Sequence, residues 1–338
     1  MKAVAYRHSL PIEDPQSLLD VDLPAPVAQG RDLLVKVEAI SVNPVDTKIR
    51  MRADPQGADK VLGWDAAGTV VAVGADVSLF KPGDAVYYAG AIDRSGSNAE
   101  LHLVDERIVG RKPAALDFAE AAALPLTSIT AWELLFDRLR VPRGSTARSG
   151  AVLVVGGAGG VGSMAIQLVR RLTNLTVIGT ASRDDSRAWV KDMGAHHVVD
   201  HRGDLVAQVK AISPTGVDYV LSLTHTEQHF PALVELLKPQ GKLGLIDDPA
   251  TPLDIRLMKS KSLSLHWEFM YTRSLHHTDD MQAQHVLLDE VANLVDAGVL
   301  RSTLREHAGT INAANLRRAH AQLESASTIG KLVLGGFA

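Results

Sequence analysis

The chain contains no cysteine. That absence excludes disulfides, thiolate nucleophiles and every sulfur-ligated metal site. Aromatic residues make up only 4% of the 338 residues, so each one near a binding site is worth weighing, although core packing is their default role. Charge of one sign is lacking too. A formal net charge of -4 and a pI near 6.3 give no general attraction to nucleic acid or anionic lipid, and neither partner is expected. No apolar run is long enough for a membrane helix without interruption by glycine, and the opening "MKAVAYRHSLPIEDP" lacks the apolar core of a signal peptide, so the expected address is the cytoplasm. The hydrolase elbow G-x-S-x-G does not occur. Thirteen histidines are present, with "HTEQH" (225–229) at i,i+4 spacing and pairs at 196–197 and 276–277. None forms H-E-x-x-H, no three-ligand set stands out, and no metal is expected.

What is present is an ordinary globular balance, 46% hydrophobic and 22% charged, in a chain long enough for two domains. The first third reads as short strands punctuated by turns: "LLVKVEAISV" (33–42), "GTVVAVGADV" (68–77) and "FKPGDAVYYAG" around a Pro-Gly-Asp turn. This predicts an irregular, mostly β domain. Helical spacing begins near Ala119 and continues through "TSITAWELLFDRL" (127–139). From 151 to about 270, apolar strands alternate with helices: "AVLVV", "TVIGTA", "HHVVD", "DYVLSL", "GKLGLID" and "SLSLHWEFM". That alternation implies a parallel, doubly wound sheet, hence an α/β fold. A long amphipathic helix (about 279–297), a helix capped by Asn312 and the strand "GKLVLGGF" complete the chain, with the tail expected to pack back onto the first domain. The Pro-, Gly-, Ser- and Arg-rich stretch 139–150 is the best candidate for an exposed loop.

Five glycines fall in the seven residues from Gly156 to Gly162. Gly157, Gly159 and Gly162 fit G-x-G-x-x-G in the context that motif needs, an apolar strand before it and a helix (163–172) after it. Glycine permits the tight turn and close backbone approach, while unpaired N–H groups and the dipole at the helix start favour a pyrophosphate. A dinucleotide is therefore expected. At the end of the next strand, where an acidic residue would hold the ribose hydroxyls of NAD, stand Ala181, Ser182 and Arg183. A hydroxyl and a guanidinium suit a 2′-phosphate, which points to NADPH. The alternative is that Ser182 caps the following helix, Arg183 is solvated, and Asp184 or Asp185 reaches the ribose.

Taken together, "SVNPVDTKIR" (41–50), "GWDAAGTVVAVG" (63–74), "FKPGDAVY", "AAALPLTSITAWELL", "VVGGAGGVGSMAIQL", "GAHHVVDH" and the closing "GKLVL" resemble the medium-chain dehydrogenase/reductase superfamily, specifically its zinc-free quinone oxidoreductase and enoyl reductase branch. The proteins it looks closest to are often labelled zinc-type alcohol dehydrogenase-like. The resemblance implies a GroES-like catalytic domain built from both chain ends (1–125 and 272–338), a Rossmann domain between them (126–271), and an active site in the cleft. Zinc-dependent relatives carry a cysteine shortly before an aspartate, a "GHE" segment and a four-cysteine lobe. Here Asn43, Pro44 and Val45 precede Asp46, "GWD" replaces "GHE", and cysteine is absent. Carried over residue by residue, the resemblance implies that Asn43 and Thr130 lie near the nicotinamide, and that Gly159, Gly160 and Val161 meet the pyrophosphate. Ser182 and Arg183 would hold the 2′-phosphate; His201, where relatives often have Tyr, would flank the adenosine. Leu223, Thr224, Ile246 and Phe269 would line the dinucleotide site, and Lys331 would reach it from the tail.

Without a metal, reduction of a quinone or an α,β-unsaturated carbonyl compound still needs orientation and a polarised oxygen. Asn43 and Asp46 are the candidate catalytic, orienting groups. Their structural alternatives are a turn-forming Asn before proline and a helix cap. Trp64, Tyr88, Trp267, Phe269 and Tyr271 are candidate walls for a flat acceptor, and strand alternation is expected to send only one of Tyr87 and Tyr88 inward. The reading is an NADPH-dependent, zinc-independent reductase of quinones or enones. A carbonyl or alcohol oxidoreductase and an NADPH-binding protein with a partner- or RNA-binding role stand as rivals. "SLSLHWEFM" is the candidate edge for a homodimer.

Overall fold

The computed structural model describes residues 1–144 and 149–337. Part of the loop expected at 139–150, residues 145–148, therefore lies outside the described residues. The chain forms two compact units, Met1–Ile129 with Tyr271–Ala338, and Thr130–Met270.

The first unit is mostly β. Strands Leu19–Asp22, Lys2–Tyr6 and Lys60–Val61 make a small antiparallel sheet. A seven-stranded sheet runs Leu304–His307, Lys331–Gly335, Asp32–Ser41, Asp65–Val73, Ala85–Tyr88, Val109–Arg111, with Leu101–Asp105 also pairing Asp32–Ser41. Residues of Asp32–Ser41 alternate between covered and exposed over their first half, as a half-buried strand should. The C-terminal strand Lys331–Gly335 pairs antiparallel with it, Val333 opposite Ser41, so both chain ends build one sheet. Asn312 does cap the helix Ala313–Glu324, its side chain accepting from the Asn315 N–H at 2.8 Å.

One expectation fails here. Tyr87 and Tyr88 are both 0% exposed. Alternation sends them to opposite faces, but the sheet is covered on both: the Tyr87 hydroxyl donates to the Leu288 carbonyl of helix Ala283–Asp296, and Tyr88 pairs with His102.

The second unit is a six-stranded, wholly parallel sheet in the order His197–Val199, Leu175–Thr180, Gly150–Val155, Val217–Ser222, Leu237–Leu245, Ser264–Trp267. Numbered along the unit, this is 3-2-1-4-5-6, the doubly wound order of dinucleotide-binding folds. Its first strand, Gly150–Val155, is apolar throughout, and the neighbouring strands turn apolar toward their C-terminal halves, as burial on both faces requires; Leu153, Val220 and Leu243 are fully buried in one cluster with Phe230 and Leu233. The expected helix across 127–139 divides into Pro125–Trp132 and a wider π-helical turn, Glu133–Arg138.

Candidate active site

Parallel strands place all their C-terminal ends at one side of the sheet, where ligands of such folds bind. That side gathers most of the expected cofactor residues of this unit: the turn after Gly150–Val155, Ser182 and Arg183 after Leu175–Thr180, His201 after His197–Val199, Leu223 and Thr224 after Val217–Ser222, Ile246 after Leu237–Leu245, and Phe269 after Ser264–Trp267. Thr130 is buried in helix Pro125–Trp132.

The glycine turn is held by its neighbour strand. The Thr180 hydroxyl accepts from Gly156 N–H at 3.0 Å, and the Thr180 carbonyl accepts from Gly157 N–H at 3.2 Å. Its glycines differ in purpose. A side chain on Gly162 would run into the Gly156 carbonyl and lie 2.8 Å from Gly157 Cα, whereas one on Gly159 would meet only Gly156 O, at 3.6 Å. Gly162 thus serves packing of the turn, and Gly159 keeps a space open. Gly159 is also the cap residue of helix Gly160–Leu172, and no side chain caps that helix. Its first N–H groups, at Gly160 and Val161, are left for a ligand at the positive end of the helix dipole.

At the next strand end, the helix Asp184–Asp192 takes Arg183 as its cap residue, with the Ser186 hydroxyl accepting from Arg183 N–H at 3.1 Å. The expected alternative, a cap by Ser182, is not what forms, because the Ser186 hydroxyl already closes that turn. Asp185 accepts from Ser186 N–H at 2.6 Å and lies 3.4 Å from Arg183 Nε. His201 is half-buried, its ring edge-on to that of His229 at 6.0 Å between centroids. Burial lowers the pKa of both histidines.

In the first unit, Asn43 precedes Pro44 at the start of helix Pro44–Arg52 and is 1% exposed. Its side chain is saturated. Nδ2 donates to Ser41 O at 3.2 Å and to Asp65 Oδ2 at 2.9 Å, while Oδ1 accepts from Lys331 Nζ. Lys331 Nζ also donates to the Val42 carbonyl at 2.9 Å and lies 3.0 Å from Asp65 Oδ2. Asp65 Oδ1 accepts from Leu126 N–H at 2.7 Å. The expectation of Asn43 as an orienting donor is corrected on this geometry, since both of its amide hydrogens are spent inside the network. Lys331 is likewise a buried structural cation whose charge answers Asp65. Asp46 differs. One oxygen accepts from the Asn43 N–H at 2.7 Å, in the manner of a capping box, and the other has no hydrogen-bond partner although fully buried. Burial pushes the Asp46 carboxyl up to about 7 against the opposing influence of the Asn43 N–H and the Lys331 charge, and Asp65 adds to the rise.

Sequence reasoning missed Asp65 as a member of this cluster; the signal for it was an ionisable side chain opening the apolar strand Asp65–Val73, mirrored by Lys331 opening the tail strand. Three expected acceptor walls are corrected as well. Trp64 is 1% exposed, donates from Nε1 to the Ala91 carbonyl at 3.2 Å and meets Tyr271 edge-on; Tyr88 is buried against His102. His102 Nε2 donates to Ser95 O at 2.8 Å, which leaves Nδ1 to accept from the Tyr88 hydroxyl at 3.0 Å. Both are core side chains, and so is Tyr271 at 2% exposed. Trp267 is 53% exposed and Phe269 46%.

Comparison with known proteins follows the same outline. An alcohol dehydrogenase GroES-like domain model matches residues 29–122, and a zinc-binding dehydrogenase model matches residues 193–334. A Staphylococcus aureus zinc-type alcohol dehydrogenase-like protein is 41% identical over 99% of both chains. The chain belongs to the medium-chain dehydrogenase/reductases. Among solved members, a candidate zinc-dependent alcohol dehydrogenase from Rhizobium etli is 55% identical, with a TM-score of 0.96 over 100% of this chain and 98% of that one. The quinone oxidoreductase of Coxiella burnetii is 27% identical at a TM-score of 0.82, covering 99% of each chain. A mycobacterial member solved with NADPH is 28% identical at 0.84, covering 99% of this chain and 100% of that one.

As a medium-chain dehydrogenase/reductase, the protein has residues that fit a dinucleotide, through the uncapped helix start and the open space at Gly159. They do not fit zinc. The Asn43 amide is saturated, the Trp64 indole nitrogen only donates, and Asp65 is held by Asn43, Lys331 and Leu126. No group of three His, Cys, Asp or Glu suited to a metal occurs among the described residues. No helix among them is long and apolar enough to cross a membrane.

Proposed function

We propose that this oxidoreductase is a zinc-independent, NADPH-dependent reductase of quinones or α,β-unsaturated carbonyl compounds. The observation that carries the cofactor choice is the strand end at 181–183. It offers a hydroxyl and a guanidinium; of the nearby carboxylates, Asp185 accepts from Ser186 N–H and Asp200 is paired with Arg202, which leaves Asp184, in the first turn of the following helix, as the acid that could compete for the ribose. An engaged carboxylate is a poor acceptor for ribose hydroxyls, Asp184 is directed to the helix start rather than the strand end by its place in the sequence, and an arginine is a good partner for a phosphate.

In this reading Gly159, Gly160 and Val161 hold the pyrophosphate, Ser182 and Arg183 hold the 2′-phosphate, and His201 flanks the adenosine. Leu223, Thr224, Ile246 and Phe269 line the dinucleotide site, with Thr130 on the nicotinamide side. Bound NADPH supplies the hydride. Lys331 and Asn43 act at one remove, fixing the loop that carries Asp46, and Asp46 holds a proton at its unpartnered oxygen near neutral pH. The acceptor class draws support from the donor set, which is unsuited to the metal that alcohol oxidation by zinc relatives uses to stabilise an alkoxide, and from the likeness to a quinone oxidoreductase. We further infer a homodimer, formed where the sheet ends at Ser264–Trp267.

The test is consumption of NADPH and NADH by chelator-treated protein with a quinone, a conjugated enone, a saturated ketone, and an alcohol in reverse. Turnover of quinone or enone with NADPH, unaffected by chelation, is expected. Activity confined to ketone or alcohol, or restored only by zinc, overturns the reading, and binding without turnover transfers the weight to a non-catalytic role. Arg183→Ala is expected to weaken NADPH by about tenfold or more relative to NADH; equal loss of both would remove the phosphate assignment.

A further inference from the structure

The two strands that end beside the expected 2′-phosphate site are paired in parallel, Thr180 opposite Val199. That register carries residues 182 and 202 to the same place, and a contact joins them. Arg202 Nη2 donates to the Ser182 carbonyl at 2.6 Å. The same guanidinium is clasped by Asp200, with Nη2 to Oδ2 at 2.8 Å and Nε to Oδ1 at 3.1 Å. The Arg202 side chain is nonetheless 64% exposed, and that of Asp200 29%.

From this geometry we propose that Arg202 is a second arm of the 2′-phosphate site, anchored on Ser182 and exchanging the Asp200 carboxylate for the phosphate of the bound cofactor. The inference rests on the NADPH reading above and adds to it a specificity-determining residue from a different strand. Three features support the assignment. An ion pair between an exposed and a partly exposed side chain two residues apart contributes little to stability, so the pair is poorly explained as a brace for the fold. The Ser182 contact anchors the Arg202 guanidinium on the backbone carbonyl of the residue next to Arg183, so a second planar cation stands at the strand end that offers the first, and paired guanidinium groups suit a phosphate. The exchange also costs little, because the phosphate carries more charge than the carboxylate it replaces and the partly exposed Asp200 returns to water.

The experiment measures Kd for NADPH and NADH on the full-length protein and on Arg202→Gln, Asp200→Asn and Arg183→Ala, with 2′-AMP and 5′-AMP as fragments that differ in where the phosphate sits. Thermal melting confirms that each variant folds. Arg202→Gln is expected to weaken NADPH and 2′-AMP by about tenfold while changing NADH and 5′-AMP by less than about twofold. Asp200→Asn removes the competitor and is expected to tighten NADPH alone. If Arg202→Gln moves NADPH and NADH equally, or moves neither, while Arg183→Ala still separates them, the second arm is wrong and the NADPH reading stands. If Arg183→Ala fails to separate them as well, the NADPH reading falls and takes this inference with it.

Discussion

Lys331 is a cation inside a β sheet, and its surroundings explain how the fold tolerates it. Its ammonium reaches the Val42 carbonyl, the Asn43 side-chain oxygen and the Asp65 carboxylate, so each of its three hydrogens has an acceptor. Two buried carboxylates nevertheless share that one charge, and the deficit falls on Asp46. Its carboxyl rises from an ordinary 3.8 to about 7, chiefly through burial. The folded state therefore binds more protons than the unfolded state between those values, and Asp46 makes the protein less stable as pH rises from about 4 through about 7. Asp46→Asn cannot ionise. It leaves an amide buried without a full set of partners, so its absolute stability falls at low pH, but its loss with rising pH is removed. Urea unfolding of both proteins across pH 4 to 8 should show the variant gaining on the parent by on the order of a few kcal/mol. A constant gap across that range would mean that Asp46 is ionised throughout.

At the scale of the element, the glycine turn separates two requirements that the motif writes alike. Gly162→Ala drives a methyl group into the Gly156 backbone, whereas Gly159→Ala points one into open space. The first should lower the melting temperature and abolish dinucleotide binding together. The second should leave the melting temperature within a few degrees of the parent while weakening NADPH by about tenfold or more, because the methyl group occupies the ligand's space. Equal thermal damage from both would show that Gly159 serves only packing. Such elements were legible beforehand because their causes are local: the strand, turn and helix around Gly157, Gly159 and Gly162 occupy a single stretch of chain, and Asn312 caps a helix three residues away from its bonding partner. Tyr87 and Tyr88 were not, since alternation reports which face a side chain takes and not what covers that face. The link from Asn43 to Lys331 spans 288 residues, and no periodicity encodes it.

For the whole molecule, the α/β architecture followed from alternating strands and helices, and the parallel register then delivered most of the expected cofactor residues of one unit to the same end of its sheet. What that sheet does at its own edge is a separate matter. Ser264–Trp267 pairs on one side with Leu237–Leu245 and has no strand on the other among the described residues. An open edge flanked by exposed Trp267 and Phe269 invites uncontrolled pairing unless something specific covers it. In the proposed homodimer, a two-fold axis beside this strand would answer the hazard with the protein's own surface, each copy covering the other's edge and Trp267. Sedimentation equilibrium should then return about twice the 36.2 kDa of one chain. Trp267→Glu, which sets like charges against each other across the axis and removes apolar cover, should shift the protein to the single-chain mass with its circular dichroism unchanged. A parent protein that sediments as one chain, or a variant that stays paired, would assign the edge another role.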